Sequence, residues 1–97
     1  MPTYVMLMNI TDQGIKNIKQ APERAAAGIK AFEAIGGKVT AFYATLGAYD
    51  YVAIGEAPSE EAGVAFSLSL GSQGNVHVTT LRGFNPEEFA KIVALVP

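Results

Sequence analysis

The stretch KVTAFYATLGAYDYVAIGE, residues 38–56, contains two apolar runs joined by a short turn. The first run, residues 38–46, is rich in β-branched and aromatic residues, and the second, residues 51–55, has the same character. Both patterns are typical of strands. Gly47 lies in the turn, where glycine supplies a positive φ or allows a close backbone approach. The stretch therefore predicts a β-hairpin.

A strand and a helix are predicted before this hairpin. The run YVMLM within residues 1–10 is typical of a strand that is covered on both faces. Thr11 or Asp12 is suited to begin a helix, and Pro22 is expected to break and restart it. The Gly36-Gly37 pair is expected to end it. The residues predicted to face inward are Ile15, Ile18, Ala25, Ile29, Phe32 and Ile35.

A helix, a fourth strand and a last helix are predicted after the hairpin. Ser59 and the two acids that follow it mark a helix start, and Gly71 and Gly74 mark its end. The run NVHVTTL, residues 75–81, predicts a strand. The tetrad Asn85-Pro86-Glu87-Glu88 combines an N-cap, a first-turn proline and a first-turn acid. The predicted inward residues are Ala62, Ala65, Phe66, Ser69 and Leu70 in the first of these helices and Phe89, Ile92, Val93 and Val96 in the last.

The order βαββαβ plus a C-terminal helix predicts a ferredoxin-like α+β fold, with residues 1–97 forming one domain. Its two main helices would cover one sheet face and leave the other bare. Strand alternation places apolar side chains on both faces, and covering a Leu- or Phe-sized side chain is worth roughly 1.5 to 3 kcal/mol. We therefore expect an obligate homodimer, a dimeric α+β barrel. In the first strand, Tyr4, Met6 and Met8 are predicted to lie on one face of the sheet and Val5 and Leu7 on the other. In the second strand, Val39, Ala41 and Tyr43 are predicted to lie on one face and Phe42, Ala44 and Leu46 on the other.

Composition narrows the functional classes. The net charge is −2 and the sequence pI is about 5.2, so no basic field attracts nucleic acid or an anionic membrane. Absence of cysteine excludes thiolate chemistry, and a single histidine argues against an imidazole metal site. No cofactor is expected. The N-terminal run has no basic region typical of a secretory signal, and no run approaches the roughly 18 apolar residues of a membrane span, so we expect a cytoplasmic protein.

The hairpin and the fourth strand hold the candidate ligand-binding residues. Asp50 either accepts hydrogen bonds from turn amides or binds donor groups of a ligand. Tyr49 and Tyr51 share a face by alternation, so either one of them packs in the core or an interface, or their hydroxyls line, with this carboxylate, the mouth of a pocket between sheet and helices. His77 is a structural residue, a ligand contact or a catalytic base. The full candidate set is Tyr43, Gly47, Tyr49, Asp50 and His77.

The segment Gly47-Ala48-Tyr49-Asp50, preceded by FYATL and followed by YVAIGEAP, resembles the GYD family of small bacterial proteins. The segments TDQGIKNIKQAPERAAA, GGKV and GNVHVTTLRGF extend the resemblance over nearly the whole chain. It implies a ferredoxin-like dimeric α+β barrel and transfers no catalytic residues.

Residues 46–81 are more distantly similar to the effector-binding domain of Lrp/AsnC-type regulators, which has a Gly-x-Tyr-Asp hairpin and a Val-x-Thr-Thr-like strand. That resemblance implies a small organic ligand bound at a subunit interface near the hairpin. No helix-turn-helix segment precedes the domain in this sequence, so DNA binding is not expected.

Three functions fit these patterns. The favoured one is a homo-oligomeric small-molecule-binding module without catalysis, because no acid, base and nucleophile grouping is visible. A cofactor-independent enzyme, similar to the small monooxygenases and isomerases built on dimeric barrels, would need a cavity that contains His77 with Tyr43 or Tyr49. A structural or partner-binding protein would also use an apolar sheet face.

Overall fold

A computed structural model describes the whole chain, residues 1–97. It contains four strands and four α-helices, and a single turn of 3-10 helix, Ile18–Gln20, separates the first two helices. The elements are β1 (Thr3–Ile10), α1 (Asp12–Lys16), α2 (Ala21–Ala34), β2 (Lys38–Ala44), β3 (Tyr51–Glu56), α3 (Glu60–Ser72), β4 (Val76–Gly83) and α4 (Pro86–Val93).

The four strands form one antiparallel sheet in the order β2-β3-β1-β4. Strands β1 and β3 are central, and β2 and β4 are the edges. Helices α2 and α3 pack on the same face, where Phe32 of α2 and Phe66 of α3 contact each other with ring centroids 4.9 Å apart. The predicted ferredoxin-like α+β fold with an extra C-terminal helix is confirmed.

The helix starts predicted at Thr11, Ser59 and Asn85 are confirmed at the level of individual hydrogen bonds, whereas the helix predicted to restart at Pro22 begins at Ala21 without a side-chain cap. The hydroxyl of Thr11 accepts from the Gly14 amide at 3.1 Å, and that of Ser59 accepts from the Ala62 amide at 3.1 Å. Asn85 forms a reciprocal capping box with Glu88 at the start of α4. Each side chain satisfies an amide that has no partner inside its own helix.

Alternation in β1 is also confirmed. Tyr4, Met6 and Met8 face the helices and are almost fully buried, and Val5 and Leu7 lie on the opposite side, which we call the open face.

In β2 the predicted alternation is wrong at one residue. A β-bulge lies between Val39 and Ala41, so Val39 pairs with Gly55 and shares the helix-covered side with Phe42. The extra residue of a bulge shifts every side chain on one side of it to the other face. Leu46, predicted to continue the strand, lies beyond it and is 101% exposed.

Several predicted inward residues are exposed. Helix α1 has only five residues, so Ile15 and Ile18 do not form one stripe with α2, and Ile35 lies just beyond the end of α2. In α3, Gly63 packs against Tyr4 of the sheet, and a Cβ at Gly63 would collide with the Tyr4 ring. Of the residues predicted to face inward from α3, Ala62, Phe66 and Leu70 are partly buried, and Ala65 and Ser69 are exposed. The residues wrongly predicted to face inward are Ile15, Ile18, Ile35, Ala65, Ser69, Phe89, Ile92, Val93 and Val96.

The molecule is elongated, with principal extents of 51, 30 and 19 Å. The buried core is small and centres on Tyr4, Phe32 and Ala57, with Val39 and Phe66 packed against it. None of its helices combines the length and the hydropathy that crossing a membrane would require.

Candidate functional site

The turn between β2 and β3 has the backbone conformation that its glycine predicts. Gly47 has φ of +105°, a value that side-chain-bearing residues rarely adopt. A Cβ built at this position meets nothing within 4 Å. The requirement for glycine is therefore conformational and does not come from a close neighbour.

Asp50 connects this turn to the end of β1. Its carboxylate accepts from the Ile10 amide at 2.8 Å, and its own amide donates to the Met8 carbonyl at 2.9 Å. The backbone carbonyl of Asp50 also accepts from the Thr45 amide at 2.8 Å, which closes the turn. The side chain thus binds the amide of a neighbouring strand, whereas turn amides were the predicted partners.

Tyr43 and His77 lie on the open face at opposite edges of the sheet. Tyr43 pairs with Val52 in β3, and His77 pairs with Asn9 in β1. Three strand spacings of about 4.8 Å separate the backbones of β2 and β4, which is roughly 14 Å across the sheet, and His77 also lies two residues along its strand from the position level with Tyr43. One protomer does not bring them together in a catalytic arrangement.

A cavity of about 110 Å³ lies on the other side of the sheet, between the sheet and helices α2 and α3. The aromatic rings of Tyr4, Phe32, Phe42, Tyr51 and Phe66 form much of its wall. Tyr51 thus lines a pocket as predicted, but Tyr43, Gly47, Tyr49, Asp50 and His77 do not. The candidate residues of the turn thus lie outside this cavity, next to Tyr51, which lines it.

A sequence signal for this cavity does exist. Helix α2 has small residues at Ala21, Ala25 and Gly28, spaced by four and three positions, and all of them line the cavity. This spacing places them on one side of a helix. Short side chains on an inner helix face leave room above the sheet, so the pattern could have predicted an internal space.

Two apolar surfaces remain uncovered. The first is the open face, where Leu81 of β4 is 46% exposed. The second is the apolar side of α4, where Phe89 is 59% exposed. An ion pair between Arg82 and Glu88, with the two atoms 3.9 Å apart, connects the start of this helix to β4. The apolar members of the open face are Val5, Leu7, Ala41, Val52, Ile54 and Leu81, and those of α4 and its end are Phe89, Ile92, Val93 and Val96.

The chain does not assemble a metal-binding group of three or more His, Asp or Glu side chains. The cavity wall contains only one charged side chain, Arg24, and the ion pairs of the chain are those of Arg82 with Glu60 and Glu88. The arrangement is suited to binding through apolar surfaces.

The fold and these surfaces define a small α+β domain of the ferredoxin-like class. The GYD domain family matches residues 4–93, so the chain belongs to the GYD family. A relative from Thermus thermophilus, called "Glutamine synthetase and cystathionine beta-lyase binding protein", is 37% identical over 82 residues, which cover 84% of this chain and 86% of the relative. No solved structure gives a significant match.

Proposed function

We propose that this chain is a non-catalytic protein-binding module that forms a homodimer and docks on an enzyme of amino-acid metabolism. The observation that carries the proposal is the uncovered apolar surface, which comprises the open face and the apolar side of α4. Exposed apolar patches of this kind mark interaction sites in soluble proteins. The cavity wall has no carboxylate and no histidine, which supports binding over catalysis.

A second copy of the chain is the proposed occupant of the open face. Four strands spaced by about 4.8 Å, with six to eight residues each, give a flat footprint of roughly 19 by 25 Å. Sheet faces of this type pack on each other when both are apolar. Lys38 and Glu56 lie opposite each other at one end of the face. A second copy related by a twofold axis would therefore find both a positive and a negative side chain at this end.

The apolar side of α4 is the proposed docking surface for the enzyme. An isolated helix of eight residues is only marginally stable in water, even when it is well capped, so contact with a partner would stabilise α4. Its apolar stripe of Phe89, Ile92 and Val93 is suited to a hydrophobic groove, in the mode in which an amphipathic helix presents residues three and four positions apart.

The T. thermophilus relative supports the class of partner. Its name states that it binds glutamine synthetase and cystathionine beta-lyase, and it aligns with most of this chain. We therefore propose one of these two enzymes, from the organism that encodes this chain, as the partner.

A binding experiment tests this proposal. Each purified enzyme is immobilised, and binding of the wild-type chain is measured by biolayer interferometry beside Phe89→Glu and Lys91→Glu. We expect the wild type to bind at least one enzyme, and Phe89→Glu to weaken binding about tenfold or more because it places a charge in the apolar contact. Lys91→Glu adds the same acid on the polar side of α4 and should bind like the wild type.

Two results would contradict these assignments. Absence of wild-type binding to both enzymes would refute the proposed partner class. Equal binding by Phe89→Glu and the wild type would show that the enzyme docks elsewhere.

A small organic ligand near the hairpin remains a separate prediction. Tyr43 and His77 lie on the open face, so in the proposed homodimer both would stand at the subunit interface, next to residues of the second copy. Gly47, Tyr49 and Asp50 lie in the turn beside that face. Such a ligand would stabilise the dimer in proportion to its occupancy.

A further inference from the structure

The cavity between the sheet and the helices has the construction of a ligand site. Its floor includes Met6, Met8 and Ala53 of the sheet, and its roof includes Ile29 of α2 and Leu70 of α3. A volume of about 110 Å³ approaches that of engineered apolar cavities of about 150 Å³ that bind benzene. This volume has room for roughly one six-membered ring or a short branched chain.

Packing does not explain this space. A methyl group added at Gly28 would meet Leu70 only at 4.0 Å, an ordinary contact distance. Gly28 has no positive φ, and glycine in a helix interior is destabilising relative to alanine. Neither the backbone conformation nor a close neighbour requires a residue without a side chain here. The glycine keeps the cavity open at a cost to the helix.

One end of the cavity is polar. The lining includes Arg24 of α2, together with Gln73 and Asn75, which follow α3. The guanidinium group of Arg24 donates to the carbonyls of Asn17 at 2.9 Å and Gly14 at 3.3 Å, which hold it in place. Only Arg82 makes ion pairs with carboxylates in this chain, so the charge of Arg24 has no carboxylate partner.

From these observations we propose that the cavity binds a small carboxylic acid with an aromatic or branched aliphatic body. The apolar body occupies the space between α2, α3 and the sheet. The carboxylate pairs with Arg24, since arginine has five donors and forms charge-assisted hydrogen bonds with carboxylates. This site is separate from the open face and from α4, so the inference does not depend on the proposed partner enzyme.

The methionines of the chain allow a direct test. The chain has three, of which Met6 and Met8 line the cavity and Met1 is exposed. In protein labelled with ¹³C at the methionine methyl groups, a titration with sodium benzoate should shift the Met6 and Met8 signals to saturation and leave Met1 unchanged. Saturable binding that leaves Met6 and Met8 unperturbed would overturn the proposal, as would no binding at millimolar benzoate.

Two substitutions on α2 give a matched pair. Gly28→Leu fills the cavity and should abolish the benzoate-induced shifts, whereas Ala27→Leu adds the same side chain at an exposed neighbour and should leave them unchanged. Benzoate binding by a folded Gly28→Leu variant equal to the wild type would refute the site. The wild-type titration decides the same question if Gly28→Leu does not fold.

The role of Arg24 is tested with a neutral ligand of the same size. Arg24→Gln should weaken benzoate binding about tenfold, because a charge-assisted pair is lost, and leave the affinity for benzyl alcohol unchanged. Equal loss for both ligands would indicate that Arg24 acts only by holding the turn before α2. No loss for either would show that the carboxylate assignment is wrong.

Discussion

Asp50 shows how one side chain of the Gly-x-Tyr-Asp segment determines local structure. Its carboxylate accepts a hydrogen bond from the amide of Ile10, the last residue of β1. Its backbone groups bond to Met8 and Thr45. A single residue thus ties together the turn, the end of β1 and the start of β3, while Gly47 supplies the positive φ that lets the chain reverse.

Replacing Asp50 tests this structural role. Asp50→Ala should lower the free energy of unfolding by about 1 to 3 kcal/mol, because the partly buried Ile10 amide loses its acceptor. Asp50→Asn should cost less, since its side-chain oxygen can still accept that hydrogen bond. Urea denaturation of the three proteins measures the difference. Equal stability of Asp50→Ala and the wild type would show that water replaces the carboxylate without loss.

At the scale of elements, helix starts depend on local chemistry and helix faces do not. Ser59 and Asn85 cap α3 and α4 through the same type of hydrogen bond. The tertiary environments of the two helices differ, because α3 packs on the sheet through Gly63 and Phe66 and α4 leaves its apolar side uncovered. Loss of the same interaction should therefore have different consequences.

The two caps form a matched prediction. Asn85→Ala should remove hydrogen-exchange protection from the amides of α4 and change the free energy of unfolding by no more than about 0.5 kcal/mol. Ser59→Ala should lower the free energy of unfolding by about 1 kcal/mol, because α3 belongs to the packed body. A large global destabilisation by Asn85→Ala would mean that α4 is part of the cooperative core.

At the scale of the whole molecule, the sheet separates two different apolar regions. Its helix-covered side contains the small core and the cavity, where α2 supplies the short side chains of Ala21, Ala25 and Gly28. Its open face carries Val5, Leu7 and Leu81 with no helix above them. An apolar face of this size is typical of a sheet that packs against another sheet, which is the basis of the proposed homodimer.

Substitution on the open face tests that homodimer. Light scattering after size-exclusion chromatography should give the wild type a mass of twice the chain mass of 10.2 kDa. The Leu81→Lys variant should have the mass of a monomer, because dimerisation would bury the lysine charge without a partner. Leu68→Lys is the control, since Leu68 is an exposed leucine on the outer side of α3. A monomeric wild type at micromolar concentration would refute the dimer, and a dimeric Leu81→Lys would move its interface to another surface.

The sequence by itself predicted the elements, their order and their starts. Caps such as Thr11, the turn glycine Gly47 and the alternation of Tyr4 to Met8 act within a few residues of the chain, so their signals are visible without a fold. The ferredoxin-like architecture and membership of the GYD family followed from the order and spacing of these signals, and both are confirmed.

Only the tertiary structure decided which side chains share a face or a space. The bulge at Thr40 reverses Val39, Gly63 of α3 packs against Tyr4 of β1, and α4 has its apolar stripe uncovered. Of the predicted site residues, Tyr43 and His77 are separated by the width of the sheet, and none of Tyr43, Gly47, Tyr49, Asp50 and His77 lines the cavity. These features depend on contacts between residues far apart in the chain, which local patterns of hydropathy and turn chemistry do not encode.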